Sequence, residues 1–402
     1  MSATEDMPHL RNTDAMTGLR AAETGHAMLP ELSHDELAEQ MFVLDLKMFL
    51  GGDVEKMHKK AALSIAEKAW ASGRNDVLPE VMEGLFERSG FQTWVALRRE
   101  AQNHMWQSVA QSADRQHDRL KAIAEIAEPL GSVTIDPDFV VPAYLDGQDV
   151  HLMPGGYAGS RHDEGGDDGV LQGAVIDLGG AVFMRGMNGG LLNDRRGQTA
   201  MSHVLTCYPD LQPKRILEMG CGIGASAVPA AVAFPEAEVF GVDVGASMLR
   251  YAHARAEHLG VRVHFSQQNA EHTNFPDGCF DLVYSCVTLH EASMPAVVNM
   301  LAESKRLLRP GGVAVHLEVP LVYGDEDIWS GVQAEIETVY NNEPNWIGAL
   351  TADYDRLMRQ AGFAEPLIGY QTAVGNARGD KGAFSHVSQG PFRSWLVVSG
   401  RA

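Results

Sequence analysis

Between residues 215 and 243 the chain reads RILEMGCGIGASAVPAAVAFPEAEVFGVD, and five positions in it carry the chemistry. Gly220, Gly222 and Gly224 recur at every second residue behind an apolar strand end; Glu218 precedes them, and Asp243 closes the next apolar stretch. Glycines so spaced let backbone approach a ligand and take dihedrals that a Cβ forbids. The helix expected behind them points unpaired N–H groups at that ligand. Asp243, about 20 residues further on, is placed to accept hydrogen bonds from a ribose diol. These residues describe a nucleoside-cofactor pocket. The glycines alone leave the nucleoside open, because Gly220-x-Gly222 followed by Ala225 also fits the dinucleotide pattern. Glu218 narrows the choice: a carboxylate there repels a pyrophosphate and attracts an ammonium group.

A second set of residues lies further along. His290-Glu291 follows an apolar strand, and ligands of α/β sheets bind outside the carboxyl ends of strands. His290 and Glu291 are therefore the candidate catalytic pair, with His290 as base where the acceptor carries a proton. The alternative for His290 is a helix cap or a pocket wall. His316 and Glu318 share one face of the next strand by its two-residue period. With His290 or Glu291 they form a conceivable metal cluster, but no HxxxH or DxD spacing supports one. A satisfied polar lining is favoured, no metal is expected, and Glu318 is assigned to substrate. Trp329, Tyr340 and Trp346, interspersed with Asn341, Asn342 and Glu343, suit acceptor recognition, with aromatic packing of a bent helix as the alternative. Tyr157, in HLMPGGY, joins them as a substrate-side candidate.

The elements that position these residues are legible in outline. Residues 1–30 are polar and aperiodic and read as a flexible tail. Helical periodicity then marks 31–128 as an N-terminal helical domain, opening on a capping box at Ser33 to Glu36 and interrupted at Gly51-Gly52. Residues 129–200 are rich in Gly and Asp with short apolar pieces, which predicts strands and loops: either a structural link or a lid. From 201 to 402 strands alternate with helices, as in parallel βαβ units and a doubly wound sheet. The last two strands, 367–373 and 395–398, have no helix between them and can pair antiparallel.

LEMGCGIG, FGVD, FPDGCFDLVYS and LLRPGG, in that order and spacing, closely resemble the motifs of class I S-adenosylmethionine-dependent methyltransferases. The likeness is strongest to the small-molecule branch that includes the ubiquinone and menaquinone biosynthesis enzymes, and it covers about residues 200 to 402. It implies an α/β, Rossmann-like, doubly wound and mainly parallel seven-stranded sheet with an antiparallel final strand, here preceded by the N-terminal helical domain. It implies S-adenosyl-L-methionine as cofactor, with Glu218, Gly220, Cys221, Gly222 and Gly224 at the methionyl part. Asp243 and Val244 would take the ribose and Met248 would lie near the adenine. Asn269, beside Ala270, stands where the family often has an acid; its amide oxygen can accept the adenine amino group. If the alignment slips, Gln268 or Glu271 takes that role. Ser285 and Cys286 would lie beneath the reacting methyl group.

The expected function is methyl transfer to an oxygen, nitrogen, sulfur or carbon nucleophile of a small molecule by in-line displacement. The alternatives are a nicotinamide-dependent oxidoreductase and a non-catalytic nucleoside-binding regulatory protein. Composition bounds the partners. The 402 residues carry 32 basic and 53 acidic side chains, a net charge of −21, which opposes nucleic acid. Four cysteines without a CxxC pair, no signal-peptide pattern and no long apolar run point to a cytoplasmic protein away from membranes. A homodimer through the N-terminal helices is expected by analogy with similar enzymes.

Overall fold

A computed structural model describes residues 25–159, 169–184, 186–319, 328–374, 382–390 and 392–402. The expected tail through residue 24, and Arg185 of the RGMNGG stretch, lie outside these.

Strands β1 (Ser132–Thr134), β2 (Arg215–Met219), β3 (Glu238–Asp243), β4 (His264–Gln267), β5 (Phe280–Cys286), β6 (Leu308–Glu318), β7 (Leu367–Thr372), β8 (Phe384–Ser385) and β9 (Ser394–Arg401) form one sheet. Its order is β1-β4-β3-β2-β5-β6-β9-β7-β8. Seven of these, β4 through β7 in that order, make the expected mainly parallel sheet, with β9 antiparallel to both neighbours. Strand order reverses at β2, between β3 and β5, so the turns after these three strands open onto one crevice. Two short strands extend the expected seven: β1 pairs parallel with β4, and β8 pairs antiparallel with β7.

The N-terminal helices follow their sequence signals at the start and depart from them at Gly51-Gly52. Ser33 caps the helix His34–Phe49, with Glu36 completing the capping box. The glycines do not stop it. The chain passes through a π-helical turn, Leu50–Val54, directly into Glu55–Ala71, and Trp94 Nε1 donates to the Leu50 carbonyl at 2.9 Å. That side chain satisfies a carbonyl which the widened turn frees.

The larger departure is in the Gly-rich segment. Val170 to Met184 was expected as short strands; Leu171–Phe183 is instead one buried helix. Its glycines mark close approach. A Cβ on Gly173 would come 2.3 Å from Tyr251 Cβ, and one on Gly179 would come 2.2 Å from Cζ3 of Trp106. The helix is thus wedged between the N-terminal helix Ser89–Asp114 and the sheet-domain helix Ala246–His258, which explains apolar residues all round it. Its Asp177 is fully buried. Asp177 accepts from Arg255 Nε at 3.2 Å, Tyr251 hydroxyl at 3.0 Å and Asn193 Nδ2 at 2.9 Å, and lies 2.9 Å from His26 Nε2. Met28 is buried beside it, so residues 25–30 are docked where the sequence reading placed a tail. The helix Ile328–Tyr340 packs in the other direction, its Ile328, Trp329, Val332 and Ile336 joining the N-terminal helical core. The helix Arg195–Cys207 runs across the expected boundary at residue 200. The segments of the expected domains are therefore interleaved around the sheet.

Replacing Asp177 leaves the Arg255 guanidinium buried without its carboxylate. Asp177→Ala is expected to destabilise the fold by about 3–5 kcal/mol in urea denaturation. Asp355→Ala, at an exposed pair with Arg359, should leave the denaturation midpoint almost unchanged.

Candidate active site

The turn after β2 is built for an approaching ligand. Gly220 and Gly222 have φ of 67° and 49°. A Cβ on Gly220 would lie 2.3 Å from Thr288 Cγ2, whereas one on Gly222 would meet open space. Asp243, at the end of β3, holds the turn: Oδ2 accepts the Gly222 N–H at 2.7 Å and Oδ1 the Gly245 N–H at 2.9 Å. Burial raises its pKa, against the pull of those N–H groups. Glu218 is buried with the Tyr284 hydroxyl 3.1 Å from Oε2, and burial pushes its carboxyl well up. Both carboxylates face a cavity of about 470 Å³.

The side of this cavity beyond β5 carries a chain of charged groups. Glu318, at the end of β6, braces the turn by accepting the Thr288 and Leu289 N–H groups at 2.8 and 2.6 Å. Its other oxygen lies 2.8 Å from His290 Nδ1, and His290 Nε2 lies 3.2 Å from Glu291 Oε1. The same Glu291 oxygen lies 3.0 Å from His151 Nε2 and accepts the Tyr157 hydroxyl at 2.9 Å. His151 Nδ1 in turn lies 2.8 Å from Glu343 Oε1. Burial disfavours charge on both histidines, but the flanking carboxylates outweigh it: His151 is raised to about 10 and His290 well above its ordinary value. Burial would raise Glu291, yet His290 and His151 hold it well below the carboxylate range. With Nδ1 engaged by Glu318 and Nε2 by Glu291, His290 is held as a positioning group.

Most of the candidates line the one cavity. Glu218, Gly220, Cys221, Gly222 and Asp243 form one side, and Val244, Met248, Asn269 and Ala270 continue it. His290, Glu291, Trp346 and Tyr157 border the same space. Trp346 stands edge-on to His290 with ring centroids 4.9 Å apart. Asn269 spends its amide locally, Oδ1 accepting the Glu271 N–H at 2.9 Å. Its remaining lone pair faces the question of adenine recognition.

Five candidates fall elsewhere. Gly224 is absorbed in the turn, where a Cβ would reach Phe265 Cζ at 2.9 Å. Ser285 points to the opposite face of β5 from Cys286, bonding His316 Nδ1 at 2.8 Å; Cys286 is the one at the cavity. Glu318 touches the β5 turn and His290, and is not itself in the cavity wall. Trp329 donates to Glu55 at 2.9 Å within the helical core, and Tyr340 stacks on Phe86. Aromatic packing is what those two residues do. His316 is fully buried between Ser285 and Ser304 and stands apart from His290.

Arg196 was not among the sequence candidates, His151 and Glu343 were named only within longer stretches, and the roof was anticipated as a lid but not as a helix. Ile176, Gly180 and Phe183 of the buried helix cover the cavity, and Trp106 reaches it from the N-terminal helices. Arg196 lines it with no carboxylate within salt-bridge distance among the described residues, and burial lowers its pKa. The signal for Arg196 was a basic residue at the start of the helix that leads into β2. His151 and Glu343 had no local signal beyond their membership of HLMPGGY and the aromatic insert.

Comparison with known proteins bears on this geometry. Residues 216–312 match the protein family described as "Methyltransferase domain". A demethylmenaquinone methyltransferase of Thermus thermophilus is 38% identical over 108 residues, 27% of this chain and 48% of that protein. The 27-O-demethylrifamycin SV methyltransferase of Amycolatopsis mediterranei is 30% identical over 152 residues, 37% of this chain and 53% of that one. A fatty-acid O-methyltransferase of Mycolicibacterium smegmatis is 32% identical over 116 residues, 29% and 41% respectively. The chain thus spans about half the length of the relatives it matches. The matched region runs from β2 into β6 and so falls on the part of the sheet that carries the glycine turn, Asp243 and the turn after β5.

The buried histidines predict a pH dependence. Burial depresses His316 and His203 to about 4. The unfolded chain takes up protons below about pH 6.5 that the folded chain refuses until about pH 4, so stability falls as pH drops through that window. In urea titrations, His316→Gln should reduce this slope by up to about 1.4 kcal/mol per pH unit, the value for one proton.

Proposed function

We propose that the protein transfers a methyl group from S-adenosyl-L-methionine to a small-molecule acceptor held in the roofed cavity. One observation carries the reading. A Cβ on Gly222 would meet open space, and the cavity there is lined by the Glu218 and Asp243 carboxylates and continues to His290, Glu291 and Trp346. The residues fit the cofactor end to end. Asp243 keeps lone pairs for the ribose hydroxyls beyond the two N–H groups it accepts. A methionyl ammonium beside Glu218 would offset the burial that raises its carboxyl, and Arg196 supplies a positive charge for the methionyl carboxylate. Met248, Ile223 and Val244 offer an apolar wall to the adenine.

When bound, S-adenosylmethionine supplies an electrophilic methyl group on a sulfonium leaving group. What the chain must then do is align the acceptor in line and keep water out. Phe183, Trp106, Trp346 and Ile176 give that space an apolar surround suited to an organic acceptor. His290, fixed at Nδ1 by Glu318 and at Nε2 by Glu291, holds the cavity wall against which the acceptor would lie. The names of the relatives, which include quinone, ansamycin and fatty-acid methyltransferases, support a small lipophilic acceptor over a macromolecule.

The net charge of −21 supports the absence of a nucleic-acid partner. Phe42, Phe49 and Met57 are each more than half exposed on the first two helices, which supports a homodimer through that face. Among the described residues no helix is long and apolar enough to cross a membrane, and all four cysteines are free. Both observations support a cytoplasmic setting.

Calorimetric titration with S-adenosylmethionine tests the cofactor half. Asp243→Ala should raise Kd by about 10- to 100-fold, the loss of a charged hydrogen-bond acceptor. Tyr340→Leu, remote from the cavity, should leave Kd unchanged. Wild-type protein that binds NAD and not S-adenosylmethionine would refute the assignment. Transfer of tritium from methyl-labelled cofactor to members of a quinol, phenol and fatty-acid panel then tests the acceptor class.

A further inference from the structure

We propose that His151, His290 and Glu343 bind a divalent first-row transition cation, of the zinc or iron(II) type, on the β5–β6 side of the cavity. One ligand atom from each of the three lies within 4.8 Å of the others. Ligands about 2.1 Å from a common ion stand roughly 3 to 4 Å apart, so small rotamer adjustments close the set. A second observation singles out Glu343. The residue is 3% exposed; Oε1 is engaged by His151 and by Asn341 Nδ2 at 2.8 Å, while Oε2 is buried with no hydrogen-bond partner. A buried, unsatisfied carboxylate oxygen beside two imidazoles is costly unless something else binds it.

The surroundings are those of a built site. Glu318 holds His290 by Nδ1 and turns Nε2 toward the cluster, the carboxylate–histidine arrangement that orients metal ligands. His151 sits in a left-handed backbone conformation, φ 57° and ψ 20°. Trp106 Nε1 and Gln102 Nε2 pin its carbonyl at 2.8 and 3.1 Å. A non-glycine residue so held is backbone strain of the kind found at functional sites. Glu291 Oε1, 3.0 and 3.2 Å from the two Nε2 atoms, is a fourth ligand within reach. Three carboxylates face two imidazoles here. The mixed nitrogen and carboxylate donors favour transition ions over magnesium or calcium.

The expectation of no metal concerned a different set, His316 and Glu318 with His290 or Glu291, which lacks HxxxH or DxD spacing. A cation on His151, His290 and Glu343 would act as a Lewis acid on an acceptor lone pair. The site itself stands on its own geometry and not on the acceptor assignment.

The test uses full-length protein stripped with EDTA and then dialysed. Zn2+ should bind with one equivalent per chain in equilibrium dialysis read by mass spectrometry, and Mg2+ at the same concentration should not. Co2+ should give visible d–d bands of a nitrogen- and oxygen-ligated site. His290→Ala and Glu343→Gln, each checked for fold by circular dichroism, should weaken binding at least about 100-fold and abolish the bands. Absence of stoichiometric Zn2+ and Co2+ binding, or binding unchanged in both variants, would overturn the proposal. S-adenosylmethionine affinity of the stripped protein, measured in parallel, reports on the cofactor reading separately.

Discussion

A single carboxylate oxygen, Glu291 Oε1, is the point on which the closed site depends. It faces His151 and Tyr157 from the Gly-rich segment and His290 from the turn after β5. Through His151 the contact extends to Glu343 of the insert, and through His290 to Glu318 of β6. Charged groups taken out of water must be paired, and breaking such a pair from one side strands the partner. Four segments far apart in sequence are therefore locked in one arrangement, and the cavity acquires its wall because those charges have nowhere else to go.

On the other side of β2 the constraint is steric and not electrostatic. Gly220 must lack a side chain for Thr288 to pack against the turn, and Gly222 leaves the volume that a ligand would take. Asp243 ties that turn to β3 with two backbone hydrogen bonds. The reversal of strand order brings this turn and the charged network to one crevice. The roof comes from a helix whose own glycines admit Tyr251 and Trp106 at contact distance. Cofactor, acceptor and cation readings all draw on this one space, with the cofactor on the β3 side and the polar network on the β5–β6 side.

The cofactor half was legible in the sequence because its signals are local. A strand, a glycine turn, a helix and an acid follow one another within 29 residues, and every candidate from Glu218 to Met248 except Gly224 lines the cavity. The sheet was legible for the same reason, since apolar strands alternate with helices. The roof was not. Glycines at 173, 179 and 180 punctuate an apolar run as loops do, and only the neighbours Tyr251, Trp106 and Asn193 reveal them as points of close helix packing. Trp329 and Tyr340 misled because an aromatic side chain reads alike whether it serves a ligand or a core. His151 and Glu343 were illegible as a pair, because nothing in 191 intervening residues says that the chain returns to the same place.

If the cavity takes S-adenosylmethionine beside an acceptor chamber, a crystal structure of the protein with S-adenosylhomocysteine shows it most directly. The expected result is ribose hydroxyls on Asp243, the amino-acid end between Glu218 and Arg196, and the sulfur facing the His290 and Trp346 side. Density for the nucleoside elsewhere, or a sulfur turned away from that side at full occupancy, would contradict it.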